Sequence, residues 1–156
     1  MSSLRSPGRS KAALAPHVIG GSQPRGGPWW CRKVRNTLDT GALIGIERRH
    51  QRAVAFWRTA LAHGIPLVAP TTSITEWWRG RTDVRETILG TLIVEPLDVA
   101  VARLAGEAMA RVRGSTLVDS VVMASAARSG GVVLTGDFED LDRPRAYFPS
   151  VRVLEV

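Results

Sequence analysis

The sequence predicts an α/β fold, with a central, mostly parallel twisted β-sheet flanked by α-helices on both faces. Three observations lead there. Short apolar runs alternate with longer stretches of helical spacing in the order β-α-α-β-α-α-β-α-α-β-β, and strands separated by helical crossovers pair in parallel. Val132-Val133-Leu134, after the Gly130-Gly131 break, reads as a short buried strand. From Leu117 to Ala127 the residues are apolar or small on nearly every face, the pattern of a helix enclosed by protein. With 156 residues, 44% of them hydrophobic, and no internal repeat, the chain can bury one core, so one domain is expected.

Taken in order, residues 1–33 are rich in Ser, Gly and Pro and lack periodicity, which reads as disorder. Residues 1–35 hold seven basic residues and no acid, and this accounts for the whole net charge of +7. The folded domain is therefore placed at 36–156, where positive and negative charges balance, and the basic balance says nothing about what that domain binds. The extension reads as sequence upstream of the true start, since a GTG start at Val34 would place Asp39 near the N-terminus. A nucleic-acid-attracting arm and an organelle-type presequence are the other readings. The single cysteine, Cys31, excludes an intramolecular disulfide and suits a reducing cytoplasm. No apolar run reaches the length of a membrane span, so no membrane partner is expected.

Val34–Leu38 is a weak first strand ending at Asp39-Thr40, and the run from Gly41 to Ile46 starts a helix. Ala53, Val54, Trp57, Ala60 and Leu61 recur at helical spacing, stopped by Gly64 and Pro66, with Trp57 expected in the core. Leu67-Val68-Ala69 is a second strand, closed by Pro70. A helix from about Thr71 to Arg79 carries Glu76, and Ser73-x-x-Glu76 fits a capping box. Asp83-x-x-Glu86 caps a short helix, Thr91–Leu97 is a strand, and Asp98 caps the helix Val99–Val112, in which Met109 is expected to pack. The Asp119 helix follows Gly114. Asp137–Phe148 reads as a loop, and Val151–Val156 as the last strand.

Asp39 and Asp137 follow apolar strands, while Glu76 and Asp119 are expected on the first turns of helices that follow loops, so in a parallel sheet all four can face one edge. Carboxylates so placed repel and raise one another's pKa. The usual remedy is a hard divalent cation, which can activate water and neutralise a scissile phosphate. In isolation Asp39 is more often a helix cap than a ligand. No other catalytic set is on offer: His17, His50 and His63 lack zinc-ligand spacing, and there is no P-loop, GxGxxG or GxSxG.

Four segments together, LDTGALIGI with Asp39, TTSITEWWRGR with Glu76, TLVDSVVMASAARSGG with Asp119 and VVLTGDFEDL with Asp137 and Asp140, resemble the PIN-domain ribonucleases, in particular VapC-type toxins of VapBC toxin–antitoxin pairs. The likeness spans about Thr37 to Val156. It implies a PIN fold and an endoribonuclease dependent on Mg²⁺, for which Mn²⁺ can substitute. It further implies Asp39 and Asp119 as principal metal ligands, Glu76 and Asp137 completing the catalytic set, and Thr40, Thr135 and Asp140 as auxiliary groups. The implied partners are a cognate VapB-like antitoxin, expected on Ile74, Trp77 and Trp78, and structured RNA such as transfer or ribosomal RNA, with a homodimer left open. The weak first strand and the long extension depart from the family pattern and keep open a non-catalytic RNA- or protein-binding copy. A phosphatase of the haloacid-dehalogenase type is the remaining alternative, although Gly41 stands where its second Asp is needed.

Overall fold

The computed structural model describes residues 34–156. The basic extension, Cys31 and His17 lie outside them, apart from Val34 and Arg35. The described residues form β1 (Asn36–Leu38), α1 (Thr40–Glu47), α2 (Gln51–Ala62), β2 (Leu67–Pro70), α3 (Thr71–Trp77), α4 (Asp83–Leu89), β3 (Ile93–Glu95), α5 (Val99–Arg111), α6 (Leu117–Ser129), β4 (Val132–Thr135), α7 (Phe138–Arg145) and β5 (Arg152–Glu155). All strand pairs are parallel, and the sheet order is β3-β2-β1-β4-β5. The expected α/β architecture is the one observed.

Alternation along the strands explains why both faces are covered. Val132 and Leu134 join one apolar cluster with Leu38, Leu43, Leu67 and Trp77, while Val133 between them joins a second with Val121, Met123, Leu141 and Phe148. Successive side chains of a strand point to opposite faces, so α1 to α4 cover one side and α5 to α7 the other. Helix α6 is buried without interruption from Ser120 to Ala126, as its all-round apolar sequence requires.

From β1 the chain goes outward through β2 to β3, then returns to the other side of β1 to lay down β4 and β5. The direction of winding thus reverses between β1 and β4, and in such sheets the crevice beyond the carboxyl ends of those two strands is where ligands bind. The two corners nearly touch. A Cβ on Gly41 would lie 3.0 Å from the Gly136 nitrogen, and one on Gly136 would lie 2.8 Å from the Gly41 carbonyl oxygen.

Several expectations need correction. The Asp137–Phe148 stretch is the helix α7, not a loop, and Pro144 sits in its last turn. The first strand begins at Asn36, whose N–H bonds the Pro66 carbonyl at 3.0 Å, and Val34 is left exposed. No capping box forms at Glu76: α3 starts after Pro70 without a side-chain cap, and the Ser73 hydroxyl is buried without a partner. Thr82, not Asp83, caps α4, whereas Asp98 caps α5 as expected and also pairs with Arg128. Trp57 is only partly buried and donates to the Thr91 hydroxyl at 3.0 Å. Met109 is 38% exposed, on the outer side of α5.

The close approach of the two glycines makes a direct prediction. Gly136→Ala overpacks the corner and should lower stability by about 1–3 kcal/mol. Gly106→Ala, in the open middle of α5 with nothing within 4 Å, should instead raise it by about 0.5–1 kcal/mol through helix propensity. Urea unfolding of both variants checks the pair.

Candidate active site

Asp39 continues the β1–β4 ladder, its N–H bonding the Leu134 carbonyl at 3.0 Å. Its Oδ1 accepts the Ala42 N–H at 2.6 Å and so caps α1, and its Oδ2 accepts the Thr135 hydroxyl at 2.5 Å. The Gly136 N–H also favours the anion. Burial outweighs these donors and, with the Asp119 charge adding to it, raises the Asp39 pKa from 3.8 to about 6. The cap reading of Asp39 is the one observed.

Asp119 lies in the first turn of α6, where its N–H donates to the Thr116 hydroxyl at 3.1 Å and its Oδ2 accepts from the same hydroxyl at 2.5 Å. Its pKa is raised, first by burial and then by the charges of Asp140 and Glu76. Glu76 on α3 is exposed, and its Oε2 accepts the Thr40 hydroxyl at 2.7 Å. Asp39, Asp119, Glu76 and Asp140 therefore share one electrostatic neighbourhood, although they come from the ends of β1, α6, α3 and α7.

Asp137 stands differently. Its carboxylate accepts the Glu139 N–H at 3.1 Å and caps α7, while its backbone is clamped by Thr135, through O at 2.8 Å and N at 2.9 Å. Thr135 thus ties Asp39 to the Asp137 corner. Asp140, which one sequence cannot rank among the acids of this segment, acts on Asp119 because α7 is a helix and turns its first-turn acids toward the α6 N-terminus. Helical patterning across Phe138–Arg145 is the signal that could have shown it. Of the partner surface expected on α3, Trp77 is 2% exposed and donates to Glu47 at 2.7 Å, while Ile74 and Trp78 are partly buried against the core.

Chemically, this is an all-oxygen donor set with two carboxyls held above their ordinary range, which suits a hard divalent cation. Oδ1 of Asp119 and Oε1 of Glu76 accept no hydrogen bond among the described residues and are available to one. In this arrangement the carboxylates stand apart, and among the described residues no three His, Cys, Asp or Glu side chains gather closely enough to hold a metal ion. A groove of about 750 Å³ between α2 and α4, lined by Ile46, Val54, Trp57, Val84 and Ile88, includes none of these acids. No helix among the described residues is long and apolar enough to cross a membrane.

The chain matches no protein-family model and no curated protein sequence. Solved structures do match. They include DNA-bound VapBC from Salmonella typhimurium, with 16% identity, 78% of this chain and 98% of that chain covered and a TM-score of 0.59. VapBC2 from Rickettsia felis bound to a promoter DNA fragment has 11% identity, coverage of 78% and 98% and a TM-score of 0.56. PAE2754 from Pyrobaculum aerophilum has 22% identity, coverage of 78% and 84% and a TM-score of 0.51. The described domain has the fold of these proteins, the PIN-type fold expected from its motifs.

The raised carboxyl of Asp39 gives a pH-dependent prediction for metal-free protein. A folded-state pKa above the unfolded value contributes stability that is full below about pH 3.8 and is lost as pH rises through about 6. The loss amounts to about 3 kcal/mol. Asp39→Asn keeps an acceptor for Ala42 but cannot ionise. In chelator it should melt above the unaltered protein at neutral pH and together with it near pH 4. Melting curves across that range check this, and an offset independent of pH would refute the burial argument.

Proposed function

We propose that this protein is a divalent-cation-dependent endoribonuclease, the toxin of a toxin–antitoxin pair. The observation that carries the reading is the Asp39 carboxyl, partly buried at the switch point and raised to about 6 although three donors favour its anion, with Asp119 near enough for its charge to add to the rise. Capping α1 does not by itself require this degree of burial, since Asp98 caps α5 in the open and is lowered. A cation bound at that place repays the cost.

In this reading Asp39 and Asp119 hold Mg²⁺ or Mn²⁺, with Glu76, Asp137 and Asp140 completing the acidic rim. When bound, the ion lowers the pKa of water and neutralises charge on the scissile phosphate. The chain's own residues orient the ligands. Thr135 fixes the rotamer of Asp39, Thr116 fixes that of Asp119, and Thr40 holds Glu76 toward the same crevice. The crevice opens at the sheet edge and suits exposed, unstacked RNA segments better than a regular duplex. The likeness to two VapBC structures supports a VapB-like protein as partner. Coexpression with the adjacent reading frame should give a stable complex, and mapping of cleavage sites on total RNA identifies the substrate.

A second reading has its own observation. Asp119 and Asp137 are engaged at helix N-termini, and no three acids are gathered among the described residues, as a non-catalytic RNA- or protein-binding copy would allow. The phosphatase reading is disfavoured by packing, because an Asp at position 41 would drive its Cβ into the Gly136 backbone.

Asp119→Asn separates the two remaining readings. As a mere helix-terminal charge, its loss costs about 0.3–1 kcal/mol with or without metal. As a ligand among crowded acids, its loss leaves the chelated protein equally or more stable, abolishes stabilisation by Mn²⁺, and lowers RNA cleavage by about a hundredfold or more. Melts in chelator and in Mn²⁺, with a cleavage assay, check it. Equal destabilisation in both conditions with cleavage retained would remove Asp119 from the site.

A further inference from the structure

A site built of carboxylates repels the polyanion it is proposed to cut, so cationic groups beside it have to hold the flanking phosphates. The α5–α6 corner supplies them. Residues 112–116 link the end of α5 to Thr116, the residue that caps α6 and holds Asp119. Arg111 and Arg113 flank the end of α5. Helix α7 crosses the same corner, with Asp140 acting on Asp119 and, one turn later, Arg143 lying against Gly114.

The Arg143 position depends on that glycine. Gly114 has φ +79°, and a Cβ there would lie 2.8 Å from Nη1 of Arg143. The bare backbone makes room for the guanidinium to rest on it, with Nη1 3.5 Å from the Gly114 carbonyl oxygen. The four ion pairs among the described residues use Arg81, Arg85, Arg128 and Arg145. Arg113 and Arg143 form none, although Asp140 is only three residues from Arg143 on the same helix. Arg111 lies over the Tyr147 ring at 5.3 Å from its centroid. Guanidinium groups that form no ion pair keep N–H donors for an external anion, even where one is spent on a backbone carbonyl as in Arg143, and their forked geometry suits phosphate.

We propose that Arg113 and Arg143, with Arg111 at the outer end, form the track that binds the RNA backbone on the Asp119 side of the crevice. The proposal rests on the nuclease reading for its substrate, but its test reads binding and not cleavage. A fluorescently labelled single-stranded oligoribonucleotide is titrated with the protein by anisotropy, in chelator and in calcium buffer, at several salt concentrations. Arg113→Gln and Arg143→Gln should each weaken binding about tenfold and reduce the slope of log affinity against log salt by roughly 0.7 for each phosphate left without its guanidinium. Arg103→Gln, about two turns back along α5 from Arg111, and Arg58→Gln, on α2, should change neither.

Loss of binding in the corner variants alone upholds the track even if the unaltered protein proves unable to cleave, which would count against the nuclease reading only. Unchanged RNA binding in both corner variants overturns the track even if cleavage by the unaltered protein is confirmed, and so does equal weakening by the control substitutions. Corner variants that bind RNA normally but no longer retain the coexpressed partner would assign the corner to protein docking and overturn it too. An unaltered protein that binds no RNA in either buffer overturns it outright.

Discussion

The close approach of Gly41 and Gly136 is the constraint from which the crevice follows. Both residues turn the chain out of neighbouring central strands, and their backbones approach until neither tolerates a Cβ. That approach places the Thr135 hydroxyl on Asp39 and brings the Gly136 N–H to the same carboxylate. A larger residue at either position would part the corners and admit water between them. The carboxyl would then be better solvated, and the largest cause of its raised pKa would weaken. Tight packing of the two corners thus bears directly on the electrostatic condition of Asp39.

The same economy recurs around it. Asp39, Asp119 and Asp137 each sit at the N-terminal end of a helix, where backbone N–H groups are unsatisfied and the helix dipole favours an anion. In a parallel α/β sheet the helices that leave carboxyl strand ends begin at that same edge, so the topology concentrates capping acids there. Only where burial and mutual repulsion add to the capping geometry does a carboxyl rise, as for Asp39 and Asp119. Asp98 shows the contrast. It caps α5 in the open, paired with Arg128, and is lowered, first by the Val101 N–H. Capping and crowding are separable, and it is crowding that marks the crevice.

Much of the fold is legible in the sequence because its signals are local. The uninterrupted apolar surface of α6, the Gly130-Gly131 break and the alternation of short strands with helices each follow from one segment's own composition. The misreadings share a cause in tertiary context. Phe138–Arg145 carries four charges before Pro144 and reads as a loop, yet Leu141 and Pro144 bury against the core and hold it helical. Trp77 reads as available to a partner because its adjacency to Trp78 on a helix cannot reveal that Glu47 receives the Trp77 indole. The acids can be found as residues that follow strands. Their ranking cannot, because the difference between Asp137, spent on a cap, and Asp140, turned toward Asp119, exists only once α7 has packed on α6.

The hydroxyl donors that meet these carboxylates are what burial and like charge demand. Partly buried acids with like charges nearby reduce their energy by accepting from hydroxyl donors, and Thr135, Thr116 and Thr40 provide those donors. A rigid gathering of three anions without a counter-charge would cost stability that a chain of this size can ill spare. Thr116 and Thr40 each engage one oxygen of Asp119 and Glu76 and leave the other without a donor, whereas both oxygens of Asp39 are engaged, one by Thr135 and one by the Ala42 N–H.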